Sequence, residues 1–262
     1  MKKFYVLLMG IALTFTACAN NKETSKTITV GATPVPHAEI LEFVKPLLEK
    51  EGYTLNIQVF NDYVIPNMAV FNGEIDANFF QHSPYLEQFN KDKNTDLIKT
   101  VSVHLEPIGI YSTKLTSIYE LSNGSSIAIP NDPTNSNRAL EVLQDANIIK
   151  LNSKKEIKTK LDIIENPKNI EIVEIEAPQL PRTISDFDLS VINTNFAIVA
   201  KLNPLKDALF LESKESPYAN IVVVKKGNEN KENIKALNKV LNSEEVRKFI
   251  REKYQGAIIE AF

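Results

Sequence analysis

One cysteine among 262 residues leaves no partner for a disulfide, so the fold of this chain must be held by a packed core. Glycine is almost as scarce, at eight residues, and none falls into the G-x-G-x-x-G turn of a dinucleotide site or a phosphate-cradling P-loop. No serine occupies a G-x-S-x-G elbow. The three histidines, His37, His82 and His104, form no H-x-H or H-x-x-x-H pair. Past the N-terminus no apolar run approaches the ~20 residues of a membrane span. Basic charge is lacking too: the formal net charge is −3 at pH 7, which argues against nucleic acid, whose backbone demands a concentrated basic surface. No internal repeat appears, and no enzyme or cofactor signature. The expectation is a non-enzymatic protein without a cofactor.

What is present begins at the N-terminus. Lys2 and Lys3 precede an apolar run from Phe4 to Phe15, too short to span a bilayer and patterned as a secretory signal. Phe15-Thr16-Ala17-Cys18 resembles a bacterial lipobox, with Phe15 in the place usually held by leucine. Residues 1–17 are therefore expected to be a lipoprotein signal peptide, Cys18 the lipidated new N-terminus, and residues 18–26 a polar tether. Each buried CH₂ of an acyl chain adds about 0.8 kcal/mol of membrane affinity, so two or three chains anchor a protein where one does not. The expected place is the extracytoplasmic face of the cell membrane. Without residues 1–17 the chain carries 28 basic against 33 acidic residues, a formal charge of −5.

The remainder, 43% hydrophobic over the whole chain, is long enough for one large domain or two smaller lobes, and two are expected. Strand-like and helix-like runs alternate. Tyr53, Leu55, Ile57 and Val59 have the period of a strand; Ile40, Leu41, Val44, Leu47 and Leu48 share a helical face that Gly52 closes. Further strands are expected at 27–30, 75–80, 108–112, 126–129, 170–175, 189–192, 208–211 and 221–224. Helices are expected at 66–72, after Pro84, at 115–121, after Pro133, and in two closing segments led by Ile234 and Val246. Such alternation predicts an α/β protein with two mostly parallel sheets.

Five segments fall at strand ends or helix starts, where open α/β sheets bind ligands. They are Phe60–Tyr63, Asn78–Tyr85, Pro130–Arg138, Val191–Asn195 and Glu215–Asn220. With Glu165–Asn169 and Glu176–Arg182, and from about Ile28 to the C-terminus, these strings closely resemble the methionine-binding lipoproteins of the NlpA type. The resemblance implies a two-lobed periplasmic-binding-protein-like fold of type II. It also implies a monomeric receptor that delivers L- or D-methionine to the permease and ATPase of an ABC importer. Two hinge crossings would join the lobes, outbound at Glu106–Ile110 and returning at 195–204. Lobe I would then hold residues 27–107 and 201–262, and lobe II residues 108–200.

A free amino acid carries a carboxylate, an ammonium and a side chain, and the matched strings contain groups for each. Arg138 has a guanidinium fork suited to a carboxylate, aided by free N–H groups at the start of its helix. Asn193 and Asn220 can accept from an ammonium and donate to a carboxylate. Tyr63, Phe80, His82 and Tyr85 form an aromatic set for a thioether, whose sulfur gains about 0.3–1.5 kcal/mol per ring contact. Each has a plainer role: Arg138 as an ion-paired group, the asparagines as turn caps, Tyr63 and Phe80 as core. An arginine that served the ligand alone would leave the stability of the empty protein unchanged when removed. The competing reading is a zinc- or manganese-binding lipoprotein using His37, His82 and His104.

Overall fold

A computed structural model describes residues 26–152 and 154–262; the expected signal peptide, Cys18 and almost all of the tether lie outside them. In chain order the elements are β1 (Thr27–Ala32), α1 (Glu39–Lys50), β2 (Thr54–Val59), α2 (Ile65–Asn72), β3 (Ala77–His82), α3 (Ser83–Lys93) and β4 (Leu97–Leu105). Then follow β5 (Gly109–Tyr111), β6 (Ser126–Pro130), α4 (Pro133–Asp145), β7 (Lys150–Leu151), β8 (Ile163–Glu165), β9 (Glu171–Ile175) and β10 (Leu189–Ile192). The chain closes with α5 (Thr194–Val199), α6 (Pro204–Asp207), β11 (Phe210–Leu211), β12 (Ala219–Lys225), α7 (Glu232–Leu241), α8 (Glu244–Tyr254) and β13 (Ile259–Glu260). Among the described residues no helix is long and apolar enough to cross a membrane.

Two sheets carry the fold, in the orders β13-β4-β12-β3-β1-β2 and β11-β5-β10-β6-β9. In the first, β3 and β12 are buried on both faces, which is why they read as nearly unbroken apolar runs. Phe79 and Val222 join the core under α1, α7 and α8, while Phe80, Ile221 and Val223 join the opposite core with Val70, Tyr85 and Phe89. In the second sheet, Ile127, Ile129 and Val191 pack against Leu140 and Leu143 of α4. Gly73 ends α2 in the left-handed region at φ 77°, a conformation that costs glycine no Cβ clash.

The sheets are mixed rather than mostly parallel. β1–β2, β1–β3, β6–β9 and β6–β10 run parallel, whereas β12 and β5 lie antiparallel to their neighbours. Both arrive from the other sheet without a helical crossover, and a parallel pairing needs one.

The return crossing also differs from expectation. β11 pairs with β5 in the second sheet, so the chain goes back to the first between Leu211 and Ala219, not at 195–204. Residues 194–199 instead form α5, with Phe196 and Ala197 in the second sheet's core and Ile198 against the first. Strand β4 is not among the expected strands: Val101, Val103 and Leu105 alternate with Thr100, Ser102 and His104, but Lys99 breaks the run, and pairing with β12 and β13 completes it. The helix expected at 115–121 is only a 3₁₀ turn at Ile118–Glu120.

Gly109, just after the outbound crossing, has no room for a side chain. A Cβ there would lie 2.8–2.9 Å from the ring and hydroxyl of Tyr111, which is itself 1% exposed and cannot swing away. Gly109→Ala is expected to lose about 1–3 kcal/mol of stability, the usual cost of overpacking, measured by urea unfolding.

Candidate ligand-binding site

The two sheets present one end of their strands to a common cleft. Phe80 and His82 leave the C-terminal end of β3; Asn220 leaves the start of β12, which is the same end because that strand is antiparallel. Across the cleft, Asn193 follows β10 and Arg138 lies on α4. These five, with Tyr63 and Tyr85, line one cavity of about 340 Å³ including its solvent-open mouth.

The aromatic wall is ordered by its own contacts. Tyr63 stacks on Phe80 at 5.6 Å between centroids, meets Tyr85 edge-on at 5.8 Å, and reaches across the cleft to Phe196 at 5.0 Å. Its hydroxyl donates to Asn195 Oδ1 at 2.7 Å, while Tyr85 donates to the Tyr63 carbonyl at 3.1 Å. Burial, with nearby carboxylates, raises both phenols well above their usual range, so they act as neutral donors. Behind Phe80 the amides of Asn67, Asn78 and Gln81 bond one another and the Pro66 carbonyl, which fixes α2 against β3.

His82 caps α3: its Nδ1 accepts from Tyr85 N–H at 3.2 Å, leaving Nε2 facing Asn135 Oδ1 across the cleft at 3.3 Å. Both ring nitrogens are thereby engaged. Desolvation, then the Arg138 charge, lowers its pKa to about 3.

Arg138 is 3% exposed, and its fork is already occupied in part. Nε donates to Glu212 Oε1 at 2.9 Å, while Nη2 donates to Glu212 Oε2 and to the Glu106 carbonyl. Tyr218 lies beneath the guanidinium, 4.4 Å from Cζ to the ring centroid. Glu212 Oε2 also accepts from Ile108 N–H at 3.2 Å. One buried ion pair therefore holds the outbound crossing, the return crossing and α4 together. The helix start contributes less than expected to an anion site, since Asp132 caps α4: its side chain accepts from Asn135 N–H at 2.9 Å, and its carbonyl from Ser136 N–H.

Asn193 occupies the N-cap position of α5, yet its side chain makes no capping bond. Its Nδ2 donates to Asn135 Oδ1 at 2.8 Å, and its buried Oδ1 has no partner. Asn220 Oδ1 sits 3.0 Å from His37 Nε2.

Glu106, Asn135 and Asn195 also line the cavity without having been singled out from the sequence as ligand residues. Glu106 is 5% exposed, and its Oε1 lies 2.7 Å from His104 Nε2 and 3.2 Å from His37 Nε2. His37 Nε2 faces two acceptors, Asn220 Oδ1 at 3.0 Å and Glu106 Oε1 at 3.2 Å, so it carries the proton, and Nδ1 accepts from Thr33 Oγ1 at 2.7 Å. Burial holds His37 down at about 4 and His104 at about 3, and pushes the Glu106 carboxyl up. The three-histidine metal set does not assemble, because His82 is held by Tyr85 and Asn135. The metal-ligating types that converge are His37, His104 and Glu106, with ligand atoms within 4.8 Å of one another.

The profile of the NlpA lipoprotein family matches residues 28–262. A methionine-binding lipoprotein of Bacillus subtilis is 44% identical, over 99% of this chain and 98% of its own length. The solved structure of a nutrient-binding protein from Burkholderia cenocepacia bound to methionine superposes with a TM-score of 0.87 at 42% identity, covering 90% of this chain and all of the other. A periplasmic substrate-binding protein of an ABC transporter from Coxiella burnetii does so with a TM-score of 0.86 at 38% identity, covering 89% of this chain and all of the other.

Removing Arg138 leaves Glu212 buried and unpaired, so Arg138→Ala is expected to cost the empty protein about 3–5 kcal/mol, read from urea unfolding. Acid should also destabilise the protein. Below pH 6.5 the unfolded chain protonates three histidines that the folded chain keeps neutral, each worth up to about 1.4 kcal/mol per pH unit. Glu106 opposes part of this, since its folded carboxyl takes up a proton before the unfolded one. His82→Gln should flatten the fall of the urea midpoint between pH 6.5 and 5.

Proposed function

The chain belongs to the NlpA lipoprotein family, and from that premise we propose that it is a lipid-anchored extracytoplasmic receptor that captures methionine for an ABC importer. The observation that carries the reading is the single cavity in which a buried guanidinium and amide groups face an aromatic wall. A zwitterion with a flexible thioether tail fits such a lining. The tail gains from burial, at about 25 cal/mol per Å² of apolar surface, and from sulfur–ring contacts with Tyr63, Phe80 and Tyr85. Arg138 meets the carboxylate with donor capacity not spent on Glu212, and Asn193 and Asn220 supply the remaining polar contacts. His82 stays neutral, with its one N–H turned to Asn135 Oδ1, and adds its ring to the aromatic wall. Similarity to proteins named for methionine binding, one of them solved with methionine bound, supports this choice of ligand.

The lobes in this reading are residues 27–107 with 212–262, and residues 108–211. Ligand contacts from both favour the closed arrangement, because only there are they made together. Cys18 carries the acyl anchor, the protein acts as a monomer, and its partners are the permease and ATPase of the importer. That the importer belongs to the ABC class is supported by the Coxiella relative.

Methionine at 100 times its dissociation constant should stabilise the full-length protein by about 2.7 kcal/mol. For a chain of this size that raises the melting temperature by about 2–4 °C per kcal/mol. Zinc should leave it unmoved. Stabilisation by zinc, lost on chelation, with none by methionine, would instead favour metal capture at His37, His104 and Glu106.

A further inference from the structure

Phe80 sits where β3 departs from regular pairing. The register with β12 slips there: Val222 pairs with Phe79 and Ile221 with Gln81, which leaves Phe80 as the extra residue of a bulge. Residues three apart on a regular strand point to opposite faces, yet Asn78 and Gln81 both reach the same side chain, Asn67 of α2. The bulge turns Gln81 to that face, where Ile221 opposite it belongs to the same core as Phe80.

The three amides meet as a closed set. Asn67 and Gln81 exchange two hydrogen bonds, one of them from Asn67 Nδ2 to Gln81 Oε1 at 3.0 Å. Asn78 Nδ2 donates to Asn67 Oδ1 at 2.8 Å and to the Pro66 carbonyl at 3.0 Å, while Asn78 Oδ1 accepts from Gln81 Nε2 at 2.9 Å. All six side-chain nitrogens and oxygens are thereby used, with Asn67 and Asn78 fully buried.

This set joins the two pieces of chain that carry the aromatic wall. Tyr63 stands just ahead of α2, in a turn where Asp62 Oδ1 accepts from the Val64 and Ile65 N–H groups at 2.7 Å each. Phe80 stands on β3, and its ring stacks on that of Tyr63. The bonds of Asn67 therefore fix where the two rings meet, although Asn67 is not among the residues lining the cavity. Apolar side chains in its place could change rotamer at little cost. A satisfied buried amide network cannot, because any shift strands a polar group in the core.

We propose that Asn67 is a positioning residue for ligand selection: by bonding β3 at Asn78 and Gln81 it keeps the Tyr63–Phe80 wall from retreating, so that the receptor rejects a side chain one methylene longer than its own ligand's. The inference rests on the methionine reading of the site. It gives the bulge at Phe80 a purpose, since without it Gln81 could not face Asn67.

The test compares methionine with ethionine, its ethyl thioether homologue, by titration calorimetry on the full-length protein in detergent. The native protein should bind ethionine roughly 10–200-fold more weakly, the range one methylene is worth in an unyielding apolar pocket. Asn67→Ala should bring the two affinities within about threefold of each other, as the wall gives way to the longer chain. Asn78→Leu cuts the same tie from the strand and should act alike. Val44→Ala supplies the measure of mere destabilisation: Val44 is as deeply buried, in the core on the other side of the first sheet, and its loss should leave the ratio at the native value. Equal affinity of the native protein for both ligands overturns the inference, and needs no variant to fold. So does a native ratio in Asn67→Ala and Asn78→Leu, or a ratio that collapses in Val44→Ala as well. If methionine fails to bind while another amino acid does, the methionine reading falls alone, and the same comparison is made between that amino acid and its homologue one methylene longer.

Discussion

Arg138 and Glu212 lie side by side in the cleft with side chains 3% and 9% exposed, and neither charge could stay there without the other. Taking an ion out of water costs several kcal/mol, which only a close partner and further hydrogen bonds repay. The further bonds are what make this pair central. Through the Glu106 carbonyl and the Ile108 N–H it holds the outbound crossing, through Glu212 the return, and through Arg138 the first turns of α4. An arginine whose residue type looks reserved for a ligand is thus a structural group in its own right.

Around that pair, the Glu106 carboxyl apart, the cleft is built from neutral donors and acceptors. Burial keeps three imidazoles uncharged and the phenols of Tyr63 and Tyr85 protonated, so the polar lining acts through directed hydrogen bonds and not through diffuse charge. In a medium of low effective dielectric such fixed dipoles are strong, and an unmatched one is expensive. Several of these bonds bridge the two sheets, among them Tyr63 to Asn195 and His82 to Asn135. The same contacts that line the pocket therefore tie the two sheets to each other across it.

Much of the fold is legible in the chain because burial leaves a periodic trace. β10 has its expected bounds, α2 starts one residue before the expected 66, and the seven residues that resemblance singled out converge on one cavity. Strand β4 is missed although Val101, Val103 and Leu105 alternate with Thr100, Ser102 and His104, because Lys99 breaks the run before them and only pairing on both sides carries the strand back to Leu97. The position of the return crossing fails for a related reason: two residues, Phe210 and Leu211, decide it by pairing with β5.

The sequence by itself determined the α/β class, the family resemblance and the residue types gathered for an amino-acid ligand, because side-chain pattern and local strings are properties of a linear chain. Tertiary structure alone decided that Arg138 is shared with Glu212, that the N–H groups opening α4 are taken by Asp132, and that Glu106, at the cavity wall, stands with His37 and His104. Arg138 and Glu212 are 74 positions apart and His37 is far from Glu106 in the chain, while the N–H groups of α4 are lost in a competition between neighbours. No spacing rule records them: the energy of a buried charge depends on which groups surround it in space, not on which precede it in the chain.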